Sequence, residues 1–175
     1  MMMQPILTTS RLVMTPRSAE DLEACLAMDR DPQVTRYVSG PWHDPDQHRA
    51  FVLDRMRQRY PAGLGYWSVR KHDANDFLGW ILLIPYEAVR NEVEIGWRFT
   101  RASWGPGFAT EAAAAVLEHA FDSVYLTEVV ADINPMNFPS IRVAEKVGMR
   151  CAGNRVLHGT SFRSYRLKSC ERSST

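Results

Sequence analysis

Glu92-Val93-Glu94-Ile95-Gly96-Trp97-Arg98-Phe99 alternates residue by residue, with Val93, Ile95, Trp97 and Phe99 on one face and Glu92, Glu94, Gly96 and Arg98 on the other, the pattern of a half-buried strand. After four intervening residues comes Trp104-Gly105-Pro106-Gly107-Phe108-Ala109, and the alanine-rich run Thr110 to Ser123 reads as a helix. Strand, glycine turn and helix make an anion-binding arrangement. Glycines let the backbone come close to an oxyanion, and the first helical amides point outward with the positive end of the helix dipole behind them. Pro106 supplies no amide hydrogen. A dinucleotide fingerprint needs glycine where Thr110 stands, and the Gly-Lys pair of a P-loop is absent, so both common nucleotide loops are disfavoured.

Upstream, Leu12 to Thr15 reads as a first strand ended by Pro16, and Ser18 to Asp21 opens a helix whose Leu22, Cys25 and Leu26 share a face, with Cys25 as buried filler. Asp31-Pro32 and Asp44-Pro45 pair a capping residue with proline at the first helical position. They predict a short helix to about Val38 and a longer one to about Tyr60. Tyr66 to Arg70 and Phe77 to Ile84, joined by the turn Asp73 to Asp76, form a hairpin beside the quoted strand. Downstream, Glu128 to Ile133 is a β-branched strand, Pro139 to Val147 a helix stopped by Gly148, and Phe162 to Lys168 a final strand. Gly159 to Arg163 lacks the second glycine of a nucleophile elbow and is a turn before that strand. The order predicts one α/β domain over residues 1–175 with a mixed sheet, frayed over 1–8 and 169–175.

The 175 residues are 45% apolar, enough for one core, and 21 basic against 20 acidic side chains give no broad positive field for nucleic acid. No run approaches the ~18 apolar residues of a membrane span, and the first residues lack the basic start of a signal peptide. These features predict a soluble, cytoplasmic protein. Cys25, Cys151 and Cys170 form no Cys-x-x-Cys pair, and His43 and His48 lack metal-ligand spacing, so no metal is expected; His119 reads as a half-exposed helix residue. The five tryptophans are core by default, except that Trp42 stands in the loop Gly40-Pro41-Trp42-His43.

Three stretches carry a family likeness: Glu94 to Trp97, Trp104 to Ala112, and Asn137-Phe138-Pro139-Ser140 with Glu145 to Met149. They resemble the GNAT acetyltransferases, and with Thr9-Ser10-Arg11-Leu12 the ribosomal-protein N-terminal (RimJ/RimL-like) branch, over nearly the whole chain. The resemblance implies a mostly antiparallel central sheet flanked by helices and acetyl-CoA as acetyl donor. The family's acyl-CoA signature commonly begins with Gln or Arg, then two residues, Gly, one residue, and Gly or Ala; here Trp104, Gly107 and Ala109 take those places. By this likeness Trp104, Gly105, Gly107, Phe108, Ala109 and Thr110 cradle the pyrophosphate, backbone near Phe99 and Arg101 pairs with the pantetheine arm, and Asn137 touches that arm. Ser140 is placed near the cofactor sulfur, where its hydroxyl either assists the departing thiolate or serves the helix start. The tyrosine acid of many members is Ala144 here, which leaves Ser140, water, Tyr125 or Tyr165.

Amine acetylation needs a neutral nitrogen. At pH 7 that costs roughly 4 to 5 kcal/mol for an alkylamine of pKa about 10.4, and only about 1 kcal/mol for a peptide α-amine of pKa about 8. Glu94 is the candidate base, with Glu92 in reserve, against a solvated strand residue or a structural ion pair, Arg98 being the candidate partner. Tyr37, Trp42 and His43 are candidates for the acceptor pocket, against plain loop packing. The expected reaction is direct attack of a primary amine, on a protein N-terminus or a small molecule, in a ternary complex without a covalent enzyme intermediate. A homodimer shaping the acceptor cleft is compatible with the resemblance. The competing reading, motivated by Trp104 and the missing tyrosine, is an inactive acyl-CoA-binding sensor or interaction module.

Overall fold

The computed structural model describes residues 4–86, 89 and 91–172. Its strands are β1 (Leu7–Thr8), β2 (Leu12–Pro16), β3 (Gly65–Lys71), β4 (Phe77–Pro85), β5 (Val93–Phe99), β6 (Glu128–Ile133), β7 (Arg150–Leu157) and β8 (Thr160–Lys168). The helices are α1 (Leu22–Asp29), α2 (Pro45–Arg57), α3 (Phe108–Asp122) and α4 (Phe138–Lys146). The strands form one sheet in the order β1-β2-β3-β4-β5-β6-β8-β7, antiparallel except at β5 and β6. That parallel pair holds a single register match, Glu94 to Val130. Beyond it the two strands part, and the functional cleft opens between them.

Local chemistry explains most element ends. Ser18 and Asp21 form a reciprocal capping box at the 3-10 turn leading into α1. Asp44 caps α2 through the amides of Asp46 and Gln47, with Pro45 at the first helical position. Gly148 (φ 88°) closes α4, donating to Glu145 O at 3.0 Å while Met149 N donates to Ala144 O at 3.0 Å. The main core lies between the sheet and α3 and α4, where Ala112, Ala113 and Ala120 are fully buried and let α3 approach Trp67, Ile81 and Leu83 closely. On the opposite face Leu22, Cys25, Leu26 and Val52 of α1 and α2 pack beside Trp80.

Several expectations need correction. The short helix after Asp31-Pro32 does not form: the Asp31 side chain accepts from Gln33 N at 2.9 Å, isolated turns follow, and residues 31–44 cross the face of the sheet as an irregular strap. Thr35 is the buried residue of 32–38, so that segment offers no apolar stripe to hold a helix in place. Strand β7 was not foreseen, because it is an edge strand exposed along most of its length and broken by a register shift between Cys151 and Asn154. Within the segment expected to fray, Leu7–Thr8 pair with β2, and Trp67 Nε1 donates to Pro5 O at 2.7 Å. At the other end Ser169–Glu171 form a 3-10 turn, whereas residues 1–3 and 173–175 lie outside the described residues. His119 is buried, not half-exposed: its Nε2 lies 2.8 Å from Gly63 O and its ring packs edge-on to Trp67.

Candidate functional site

The divergence of β5 and β6 leaves a cleft of ≈ 510 Å³. One wall is Ile95 to Trp97, the other Ala131 to Asn134, with Asn137 and Ser140 at the start of α4 and Tyr37 reaching in from the strap. Because β6 pairs with β5 at one residue, the β5 backbone below Glu94 presents a free edge to the cleft, the geometry by which an extended chain adds to a sheet. Phe99 O already accepts the Trp104 indole N–H at 3.0 Å, so that carbonyl braces the glycine turn. Arg101 is exposed in the 3-10 turn Arg101–Ser103.

The turn itself is open. Gly105 (φ 105°) and Gly107 (φ 85°) both hold left-handed conformations, and a Cβ on Gly105 would meet nothing within 4 Å. Gly107 is the N-cap of α3, so the amides of Phe108, Ala109 and Thr110 have no partner within the helix and face the turn. Open glycine backbone ahead of free helical amides fits a pyrophosphate. A further clamp escaped sequence reasoning. Arg11 donates to Pro106 O at 3.0 Å and to Glu111 Oε2 at 2.6 Å, and its guanidinium lies 4.8 Å from the centre of the Phe108 ring. Burial pushes the Glu111 carboxyl up, but bonds from Thr9 and Arg11 prevail and hold it below its ordinary value. Thr9-Ser10-Arg11 was legible as a motif; its contact with residues a hundred positions away was not.

A model of the acetyltransferase (GNAT) domain matches residues 11–150. The chain belongs to the GNAT acetyltransferases. It is 38% identical over 120 residues to the uncharacterized protein YkkB of Bacillus subtilis, covering 68% of this chain and 69% of that one. It is 30% identical over 150 residues to the uncharacterized N-acetyltransferase YnaD of the same organism, covering 84% of each. The GNAT-family acetyltransferase structure from Bacillus anthracis superposes with a TM-score of 0.81 at 26% identity, over 95% of this chain and all of that one. This acetyltransferase therefore has a transfer activity to explain, and its family uses acetyl-CoA as donor.

The sequence-derived candidates divide by position. In this GNAT chain Asn137 caps α4, its Oδ1 accepting from Ser140 N at 3.3 Å, so the Ser140 hydroxyl is not the cap, and Ser140 lines the cleft. Tyr37 lines the same cleft. Trp42 does not: its indole donates to Val38 O at 2.9 Å and its ring packs edge-on to His48 and Phe51 over a second cavity. His43 is exposed and lines neither space. Of the alternative acids, Tyr165 is buried in the core, where burial raises its pKa, and Tyr125 is 80% exposed; neither lines the cleft.

The two glutamates also separate. Glu92 accepts from Arg155 at 2.7 Å and Arg166 at 2.6 Å, and these bonds, Arg155 first, hold its carboxyl below the usual range. Glu94 stands half-buried at the single β5–β6 match, adjacent to the cleft residue Ile95 but not itself part of the cleft lining. Arg98, its suggested partner, donates to Asp29 Oδ1 at 2.8 Å. No helix among the described residues is long and apolar enough to cross a membrane.

Proposed function

We propose that this GNAT chain transfers the acetyl group of acetyl-CoA to a primary amine by direct attack in a ternary complex. The observation that carries the reading is the cleft in which Ile95 to Trp97 of β5, beside its free edge, face Ser140 of α4, with the open Gly105–Gly107 turn following β5 in the chain. The donor, when bound, supplies an activated thioester. The chain's residues do the rest. The amides of Phe108 to Thr110 hold the pyrophosphate, and the Arg11 clamp keeps that turn in place. Glu94 accepts the proton that the attacking nitrogen releases, directly or through water. Ser140 donates a hydrogen bond toward the departing sulfur, from the first turn of α4, where the helix dipole favours developing negative charge.

The absence of a tyrosine at Ala144, buried in the core, throws this last role onto the α4 start. None of the three cysteines lines the cleft, which supports attack without a covalent enzyme intermediate. The likeness to the ribosomal-protein N-terminal branch makes a protein α-amine one acceptor class and small-molecule amines the other. Calorimetric titration with acetyl-CoA, with free CoA and a dinucleotide as comparators, tests the donor site without knowledge of the acceptor. Micromolar binding of acetyl-CoA but not of the dinucleotide is expected; no binding up to millimolar concentration would overturn the reading.

A further inference from the structure

Across the Val38–Ser39 part of the strap from the cleft lies a second cavity, of ≈ 180 Å³, for which the transfer chemistry above has no use. It is built on the sheet face opposite the main core. Trp80 of β4 pairs there with Arg98 of β5, and the Tyr66 ring of β3 lies 5.3 Å from that of Trp80. Trp42 of the strap and Phe51 of α2 complete an aromatic enclosure. Three arginines, Arg17, Arg55 and Arg98, and one carboxylate, Asp29, line it.

That carboxylate is committed. Asp29 accepts from Arg98 at 2.8 Å, and its other oxygen lies 3.3 Å from His48 Nε2. Arg17 has no such relief. Its guanidinium stacks 3.7 Å from the centre of the Tyr66 ring, yet its Nε and Nη2 are buried and hydrogen-bond to nothing among the described residues. Burial lowers the Arg17 pKa, as expected for a cation stripped of water, and the nearby Tyr66, Cys25, Tyr60 and Asp29 only partly oppose it. Stacking on a ring stabilises the face of a guanidinium, but its N–H donors lie in the plane and need acceptors at the edge. A desolvated fork of donors without an acceptor is matched by a planar oxyanion.

The cavity also lies next to the transfer cleft. Arg98, Gly96 and Glu94 follow one another on the same face of β5, alternate residues standing ~7 Å apart, and Gly96 puts no side chain between the other two. Val38 and Ser39 border both spaces. We propose that this cavity anchors the acceptor, with Arg17 binding the carboxylate of a small, apolar-bodied amine of amino-acid type while its amine reaches along β5 toward Glu94. The proposal rests on the acetyl-transfer reading of the cleft.

Trp42 and Trp80 line the cavity, so tryptophan fluorescence reports ligand binding independently of turnover. The probes are matched pairs with and without a carboxylate: phenylalanine against phenethylamine, and leucine against isopentylamine. The carboxylate member of at least one pair is expected to bind at least about tenfold more tightly, the range of one charge-assisted hydrogen-bonded contact. Arg17→Gln should erase that difference, and Arg17→Lys, which keeps the charge without the fork, should restore part of it. Arg17→Met separates binding from architecture: it should lose the preference with an unchanged or higher melting temperature, because it removes an unsatisfied buried charge. Equal binding within every pair, no binding by any probe at millimolar concentration, or a preference indifferent to Arg17 would overturn the proposal. Thiol release from acetyl-CoA with the same probes tests the underlying reading separately. Transfer to both members of each pair alike removes the anion subsite and leaves the transferase. Arg17-dependent binding without transfer to any amine leaves the anion site and removes the transferase reading.

Discussion

Glu92 and Glu94 stand two residues apart on one face. Glu92 is held charged by two guanidiniums, which makes it a poor proton acceptor near neutral pH. Glu94 stands at the single β5–β6 match, next to the cleft residue Ile95, and is the proton acceptor in the proposed reaction. Glu94→Gln should lower turnover by roughly 10²-fold, within the range of a general base, with acetyl-CoA affinity unchanged by calorimetry. Retained turnover would remove Glu94 from the mechanism. Gly107→Val should act on the other ligand. A β-branched residue at φ 85° is strained, and its side chain would enter the space where phosphate meets backbone, so acetyl-CoA binding should weaken while circular dichroism shows the fold retained. Cys151 is exposed on β7, apart from the cleft lining, and Cys151→Ser should leave turnover intact. A collapse of turnover in that variant, with the fold preserved, would contradict direct attack. Buried Cys25, its thiol pushed up to about 12 by burial, is no better placed as a nucleophile.

At the scale of elements, caps and apolar stripes decided what could be read. Asp44-Pro45 and Asp31-Pro32 carry the same start signal, but only the first is followed by side chains that a neighbour can bury, His48 and Val52 among them. The second yields a strap, and the strap proves useful: it places Tyr37 in the cleft and Trp42 over the second cavity. Asp44→Ala removes acceptors for two α2 amides and should destabilise the protein by about 1 kcal/mol in urea denaturation, with little change in the slope of the transition. Strand β5 was legible because its alternation marks one wet and one dry face. Strand β7 was not, since an edge strand with most positions exposed needs no apolar pattern and is held by its backbone pairing with β8.

For the whole molecule, a sheet that splits at its centre needs a tie at the closed end. Arg166 of β8 bonds Glu92 at 2.6 Å and Glu128 of β6 at 2.9 Å, while Arg155 of β7 bonds Glu92 at 2.7 Å and reaches Asp132 of β6 at 3.3 Å. Charges from both halves of the sheet thus meet just below the split. Because the folded Glu92 pKa is depressed below its ordinary 4.5, its contribution is fully present above that value and is lost as pH falls through the folded pKa. Urea midpoints measured from neutral to acid pH should therefore fall less steeply below about pH 4.5 in Glu92→Gln than in the unmodified protein, with the variant already weaker at pH 7. Parallel curves would mean that this tie does not stabilise the fold.

The sequence by itself determined the strand, turn and helix around Gly105 and Gly107, the alanine face of α3, the Ser18 cap ahead of α1, the Asp44 cap of α2, the Gly148 stop of α4, and through its motifs the family. All of these depend on neighbours a few residues apart, whose periodicity and backbone preference are written locally. Only the tertiary structure decided that Arg11 clamps the turn, that Arg98 bonds Asp29, that His119 is buried, and that Arg17 Nε and Nη2 are buried without an acceptor among the described residues beside a second cavity. Each of these joins residues far apart in the chain, and a side chain's partner is fixed by which elements the packed core brings together.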